Sequence, residues 1–124
     1  MKTALLIFTG SGAGGVLRYF VQRAFIDAGF IQFPAGTFVV NILGCFFIGL
    51  FDAMAEKNNL ISPDVRLALT TGFCGGFTTF STFANENMNL LRNGDYMNFS
   101  LYIILSIILG IGAVILGANC LKLF

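Results

Sequence analysis

The chain has 124 residues, 56% hydrophobic and 10% charged, with a formal net charge of +1 and a mean hydropathy of +0.85. A soluble domain carries roughly a quarter charged residues, so this chain cannot clothe a globular surface in water and a soluble enzyme is excluded. A net charge of +1 offers no attraction to a polyanion, which excludes nucleic-acid binding.

About 20 mostly apolar residues cross a bilayer, and the chain has room for four such spans with short connections. The reading is an all-α membrane protein, a single four-helix transmembrane domain over residues 1–124. The first span is predicted over 3–21, interrupted by Arg18. Its start mimics a signal peptide, but the apolar pattern continues past the glycines to Phe25, so it reads as a retained helix. Within it, Gly10-Ser11-Gly12-Ala13-Gly14-Gly15 matches a dinucleotide fingerprint only formally, because no strand precedes it. Small residues at these spacings instead let helices approach closely in lipid.

A connector from Gln22 to Phe33 leads to a second span over 34–54, with Pro34 suited to a helix's first turn. It carries Thr37 and Asn41, four apart on one face. An amide at that depth needs partners; it either glues two helices together or donates N–H groups to an anion. The connector Ala55 to Asp64 contains the Asn58-Asn59 pair and the Ser62-Pro63 turn signal.

The third span, over 65–89, holds Gly72-Phe73-Cys74-Gly75-Gly76-Phe77-Thr78-Thr79-Phe80-Ser81-Thr82-Phe83. Gly75-Gly76 before Thr78-Thr79 is a poor helix interior, so the helix is expected to break at its centre. A break frees carbonyls, hard oxygen ligands for a dehydrated alkali cation, and is tolerated at that depth only against protein or a cavity. Phe73, Phe77, Phe80 and Phe83 are spaced to form one slanting stripe. Such a stripe either packs or turns electropositive ring edges to an anion, and interleaved hydroxyls at Thr78, Thr79, Ser81 and Thr82 add donors. Asn93-Gly94-Asp95 marks a tight turn into the fourth span, over 98–121. There Tyr102 and Ser106 repeat the four-residue hydroxyl spacing, and Ser106, Gly110, Ala113 and Gly117 make a packing face.

Arg18, Asp52 and Glu86 are expected toward span ends, with heads reaching the interface, which leaves no carboxylate at the midplane. Proton-coupled pumps rely on such a carboxylate or a histidine, and the chain has no His at all. Cys45, Cys74 and Cys120 each sit in an apolar run as small hydrophobes. Four spans would put Lys2, Lys57, Arg66 and Lys122 on one side, against Arg18, Arg23 and Arg92 on the other. Orientation follows Lys/Arg asymmetry. Four against three gives so little bias that insertion both ways, and pairing as antiparallel dimers, is expected.

Over its whole length the chain resembles the Fluc (CrcB) fluoride channel family. The resemblance is carried by Leu17-Arg18-Tyr19 after the glycines, by Gly36-Thr37-Phe38-Val39-Val40-Asn41-Ile42-Leu43-Gly44, and by the run from Gly72 to Phe83. Gly14-Gly15 departs from the family's more usual Gly-Ala and raises a question of local packing. The resemblance implies a passive fluoride exporter of the bacterial inner membrane, an antiparallel dual-topology homodimer with two pores. It implies Phe80 and Phe83 lining a pore, Asn41 donating to the anion, and Thr37, Ser81, Thr82, Tyr102 and Ser106 forming a hydroxyl track. It further implies Gly75 and Thr78 giving carbonyls to a structural sodium ion, Arg18 drawing anions into a vestibule, and Glu86 near a pore mouth. A small multidrug exporter would need a carboxylate in the first span, and none lies between Lys2 and Asp27. A non-transporting subunit would explain the glycine faces but not the hydroxyl–Phe run.

Overall fold

Three of the four apolar stretches form uninterrupted helices, and the third in chain order does not. The computed structural model describes residues 1–57 and 60–122, so the Asn58-Asn59 pair lies outside the described residues. Among the described residues the elements are α1 (Lys2–Asp27), α2 (Ala35–Glu56), α3 (Pro63–Leu67), a π-helix (Ala68–Cys74), α4 (Gly75–Phe77), α5 (Phe80–Arg92) and α6 (Tyr96–Cys120). Helices α1, α2 and α6 are each long and apolar enough to cross a membrane. The connector expected from Gln22 is helical as far as Asp27. Gly29 ends α1 at φ 90°, where Phe30 N–H reaches back to the Phe25 carbonyl.

The π-helix joins α3 and α4 into one rod, 63–77, and a two-residue extended link, Thr78–Thr79, separates the rod from α5. The break therefore falls after the glycines, not at them. Gly75 and Gly76 are helical because the missing Cβ of Gly76 lets the rod press onto the backbone of Ser11, which a side chain there would overlap. Thr79 is the residue that ends one helix and starts the next. Its extended backbone suits a β-branched residue, and its hydroxyl caps α5 by accepting from Thr82 N–H. The single phenylalanine stripe is broken with the helix. Phe73 and Phe77 stack at 5.6 Å on the rod, while Phe80 and Phe83 pair at 5.8 Å on α5.

Close helix crossings hold the bundle. α1 lies along the rod, where a Cβ on Gly14 would strike the Phe73 carbonyl. A Cβ on Gly15 would sit 3.9 Å from the Gly76 carbonyl, so an alanine fits there and the departure at this position leaves the packing unchanged. α2 lies against α6, with Gly49 on Val114 and Gly117 on Phe46 through direct backbone approach. Val40 and Tyr102 are fully buried at the centre. Outward rows such as Phe8, Ile108 and Leu116 are exposed, as a lipid-facing surface requires.

The predicted turn Asn93-Gly94-Asp95 is present, with Gly94 at φ 73° and Asp95 capping α6 through Asn98 N–H. The Ser62-Pro63 signal becomes the N-cap and first turn of α3. At the end where α1 starts and α6 stops, Lys2 pairs with Asp64, Arg66 with Asp52, and Lys57 Nζ donates to the Leu121 carbonyl. At the other end Arg23 pairs with Asp27.

Candidate functional site

The broken rod builds the site. At an intact helix Thr79 N–H would bond the Gly75 carbonyl; here it donates to Asn41 Oδ1 at 2.8 Å. Asn41 Nδ2 in turn donates to the Thr79 carbonyl at 3.2 Å. One side chain of α2 thus satisfies both backbone groups of the residue at the break, the gluing role left open above. From α1, Arg18 donates to the Thr78 carbonyl at 3.1 Å. This corrects the expectation that Arg18 reaches outward to the interface: a freed carbonyl inside the bundle is the partner it takes.

The break exposes two helix ends of opposite polarity. The rod's C-terminus presents carbonyls and the N-terminus of α5 presents N–H groups, favouring a cation and an anion respectively. Both face a groove of about 400 Å³ lined by Asn41, Gly44, Cys45, Gly75, Thr78, Thr79, Phe80, Phe83 and Ser106. Phe80 is 80% exposed and stands free in it. Ser106 Oγ is buried and has no hydrogen-bond partner among the described residues, which leaves its donor available.

A second cavity of about 260 Å³ lies on the other side of the first turn of α5, lined by Gln22, Phe25, Ile26, Phe30, Gly36, Thr37, Thr82 and Glu86. Glu86, expected toward a span end, sits beside the first turn of α2. Its carboxylate is held inside the bundle, accepting from Thr37 Oγ1 at 2.7 Å and from Tyr102 OH at 2.8 Å. Two hydroxyl protons converge on a carboxylate here, so a mobile anion meeting them competes with Glu86 for the same donors. Tyr102 lines neither volume but touches a residue of each, its ring edge-on to Phe83 at 4.8 Å and its hydroxyl on Glu86.

Of the residues singled out from the sequence, Asn41, Gly75, Thr78, Phe80, Phe83 and Ser106 gather at the groove, and Thr37, Thr82 and Glu86 at the second cavity. Ser81 is exposed and lines neither, with its Oγ 3.4 Å from Thr79 Oγ1. Gln22, Phe33 and Phe38 were missed. Gln22 lies four residues after Arg18, the same helical face, and ending the first span at Val21 hid that signal.

As to a cation, the Gly75 carbonyl has lost its usual donor and lies at an exposed glycine on the groove. The Thr78 carbonyl keeps one lone pair beside its bond to Arg18. Both are neutral hard oxygens, a donor set that suits an alkali cation. Two per chain is too few for one, and a second copy would double them.

The chain matches the family model described as CrcB-like protein, Camphor Resistance (CrcB), over residues 5–118. It is 53% identical over 117 residues to a fluoride-specific ion channel FluC of Phocaeicola vulgatus, covering 94% of this chain and 96% of that one. Fluoride-specific ion channels FluC of Chlorobaculum tepidum and Leptospira interrogans are 45% identical over 124 residues and 41% over 123. These alignments span 100% and 99% of this chain and 98% and 97% of the relatives.

Proposed function

The chain belongs to the CrcB family, and from that membership and the groove at the helix break we propose that it is a channel passing fluoride passively out of the cell across a bacterial inner membrane. It is a multi-pass membrane transport protein rather than an enzyme. The observation that carries the reading is the run of donors along the break: the Asn41 amide, the N-terminus of α5 and the unpartnered Ser106 hydroxyl beside the rings of Phe80 and Phe83.

Fluoride is small and holds its water strongly, so a pore must replace that water with close donors. At the groove, backbone N–H groups, an amide and a hydroxyl supply them with no carboxylate among the lining residues, and electropositive ring edges continue the path. Chloride is larger and is excluded by a narrow file of such groups. Beyond the rings the ion meets the hydroxyls of Thr82, Thr37 and Tyr102, while Ser81, outside both cavities, reaches the track only through Thr79. Arg18 lends positive charge behind the break, and Glu86 exchanges its two hydroxyl donors with the passing anion.

In this reading the rod 63–77 and α5 together make a fourth crossing, since about 1.5 Å per residue gives roughly 22 Å and 20 Å for the two pieces. The open groove is closed by a second copy inserted the other way, giving an antiparallel homodimer with two pores. The near-balanced charges at the two ends support dual insertion. Gly75 and Thr78 carbonyls of both copies would hold a sodium ion, whose chemistry is to neutralise the carbonyl ends of the two rods.

The test is purified protein in liposomes, with fluoride and chloride electrodes read in parallel under a potassium ionophore. Rapid fluoride loss without chloride loss is expected, whereas comparable loss of both anions, or of neither from dimeric protein, refutes the reading.

A further inference from the structure

Gln22 enters the second cavity as the polar side chain contributed by α1, among Phe25, Ile26 and Phe30. Its position follows from a close crossing: a Cβ on Gly36 would come within 2.8 Å of Gln22 Cα, so α1 and α2 touch backbone to backbone beside Thr37. The Gln22 amide Nε2 then donates to Thr37 Oγ1 at 2.9 Å, and Thr37 donates to Glu86 Oε1 at 2.7 Å.

The direction of this chain is set at Gln22. A threonine hydroxyl within a helix commonly folds back onto the carbonyl a turn earlier. Thr9, Thr70 and Thr78 all do so in this molecule, bonding the carbonyls of Leu5, Arg66 and Cys74. Thr37, the third residue of α2, has no helical turn before it to bond: its oxygen accepts from Gln22 and its one proton points to Glu86. An accepted hydrogen bond also polarises the hydroxyl and strengthens its donation.

We propose that Gln22 is a positioning residue of the conduction path, donating to the Thr37 oxygen and so aiming its one proton into the cavity where the anion passes. The inference rests on the fluoride-channel reading above. It predicts that Gln22→Met, similar in length but with no donor, slows fluoride efflux from liposomes about fivefold, the worth of one ordinary hydrogen bond at the barrier. Gln22→Glu, isosteric but accepting where the amide donated, slows it further.

A merely structural role is separated by a double-mutant cycle with Thr37→Val and by the Thr37→Ser background. If Gln22 acts through Thr37, adding Gln22→Met to Thr37→Val leaves efflux unchanged, while the same change in Thr37→Ser still slows it. Both Gln22 variants are expected to elute with the unaltered protein in size-exclusion chromatography. Efflux at the unaltered rate in Gln22→Met and Gln22→Glu overturns the proposal, as does multiplication of the two losses in the Thr37→Val background. Unaltered protein that moves no fluoride overturns the channel reading itself, a distinguishable result.

Discussion

Replacing Asn41 by Leu and by Asp separates two things this side chain does. Asn41→Leu keeps the volume and removes both bonds to Thr79, a residue only 8% exposed. The Thr79 N–H and carbonyl are then left without partners, at about 1–3 kcal/mol each, so about 2–6 kcal/mol is lost. At roughly 3–4 °C per kcal/mol for a chain of this size, the melting temperature in detergent should fall by on the order of 10 °C. Asn41→Asp keeps the acceptor for Thr79 N–H but sets a carboxylate oxygen against the Thr79 carbonyl in place of the 3.2 Å donor, so its thermal loss should be about 1–3 kcal/mol. Its effect on flux is larger, because a carboxylate about 5 Å from a passing anion costs about 3 kcal/mol at an effective dielectric near 20, on the order of a hundredfold in rate. The assay is paired: intrinsic tyrosine fluorescence on heating, and fluoride efflux from liposomes. An Asn41→Leu protein that melts with the parent would show that the break is held elsewhere. An Asn41→Asp protein with parental efflux would take the amide off the path.

Phe80→Ile and Phe83→Ile should both cut fluoride efflux while leaving the proposed dimer unchanged by cross-linking. Only Phe83→Ile should also lower thermal stability, by about 1 kcal/mol, through its edge contact with Tyr102; unchanged efflux in both would remove the rings from the pore. Gly49→Leu should prevent assembly of a monodisperse protein, because any side chain there overlaps the Val114 carbonyl of α6; a normal elution profile would contradict the crossing. Asp52→Asn should shift the melting temperature by no more than a few degrees, since the Arg66–Asp52 pair is nearly half exposed and exposed pairs contribute about 0–1 kcal/mol; a larger loss would mean that pair anchors the rod.

Much of the fold was legible because its causes are local. Apolar runs of membrane length, Gly94 in a turn, Ser62 before Pro63 and small residues along α6 each act through a few neighbouring atoms. The break was legible in kind and in place to within a residue or two, since Gly75-Gly76 followed by Thr78-Thr79 marked the centre of the span and the link falls at Thr78–Thr79. What the pattern did not separate was the glycines from the threonines: a glycine against another helix gains more from close packing than it loses in propensity, and the capping hydroxyl of Thr79 fixed the break just beyond it. Arg18 and Glu86 were read as seeking the interface because charge inside a membrane is costly. Their actual partners, a freed carbonyl and two hydroxyls, belong to helices distant in sequence and come into reach only through the crossings of α1 with the rod and of α2 with α5 and α6.

The clasped break has an electrical consequence. A field across the membrane does work only on charge that moves, about 2.3 kcal/mol per elementary charge per 100 mV. Among the described residues Arg18 is tethered to the carbonyl at the end of the rod, Glu86 is enclosed by the hydroxyls of two helices and trades those donors without leaving its place, and the link between the rod and α5 is pinned by Asn41. With no loose lever for voltage to pull, current through such a path should follow the driving force in proportion, in either direction, as through a fixed resistor.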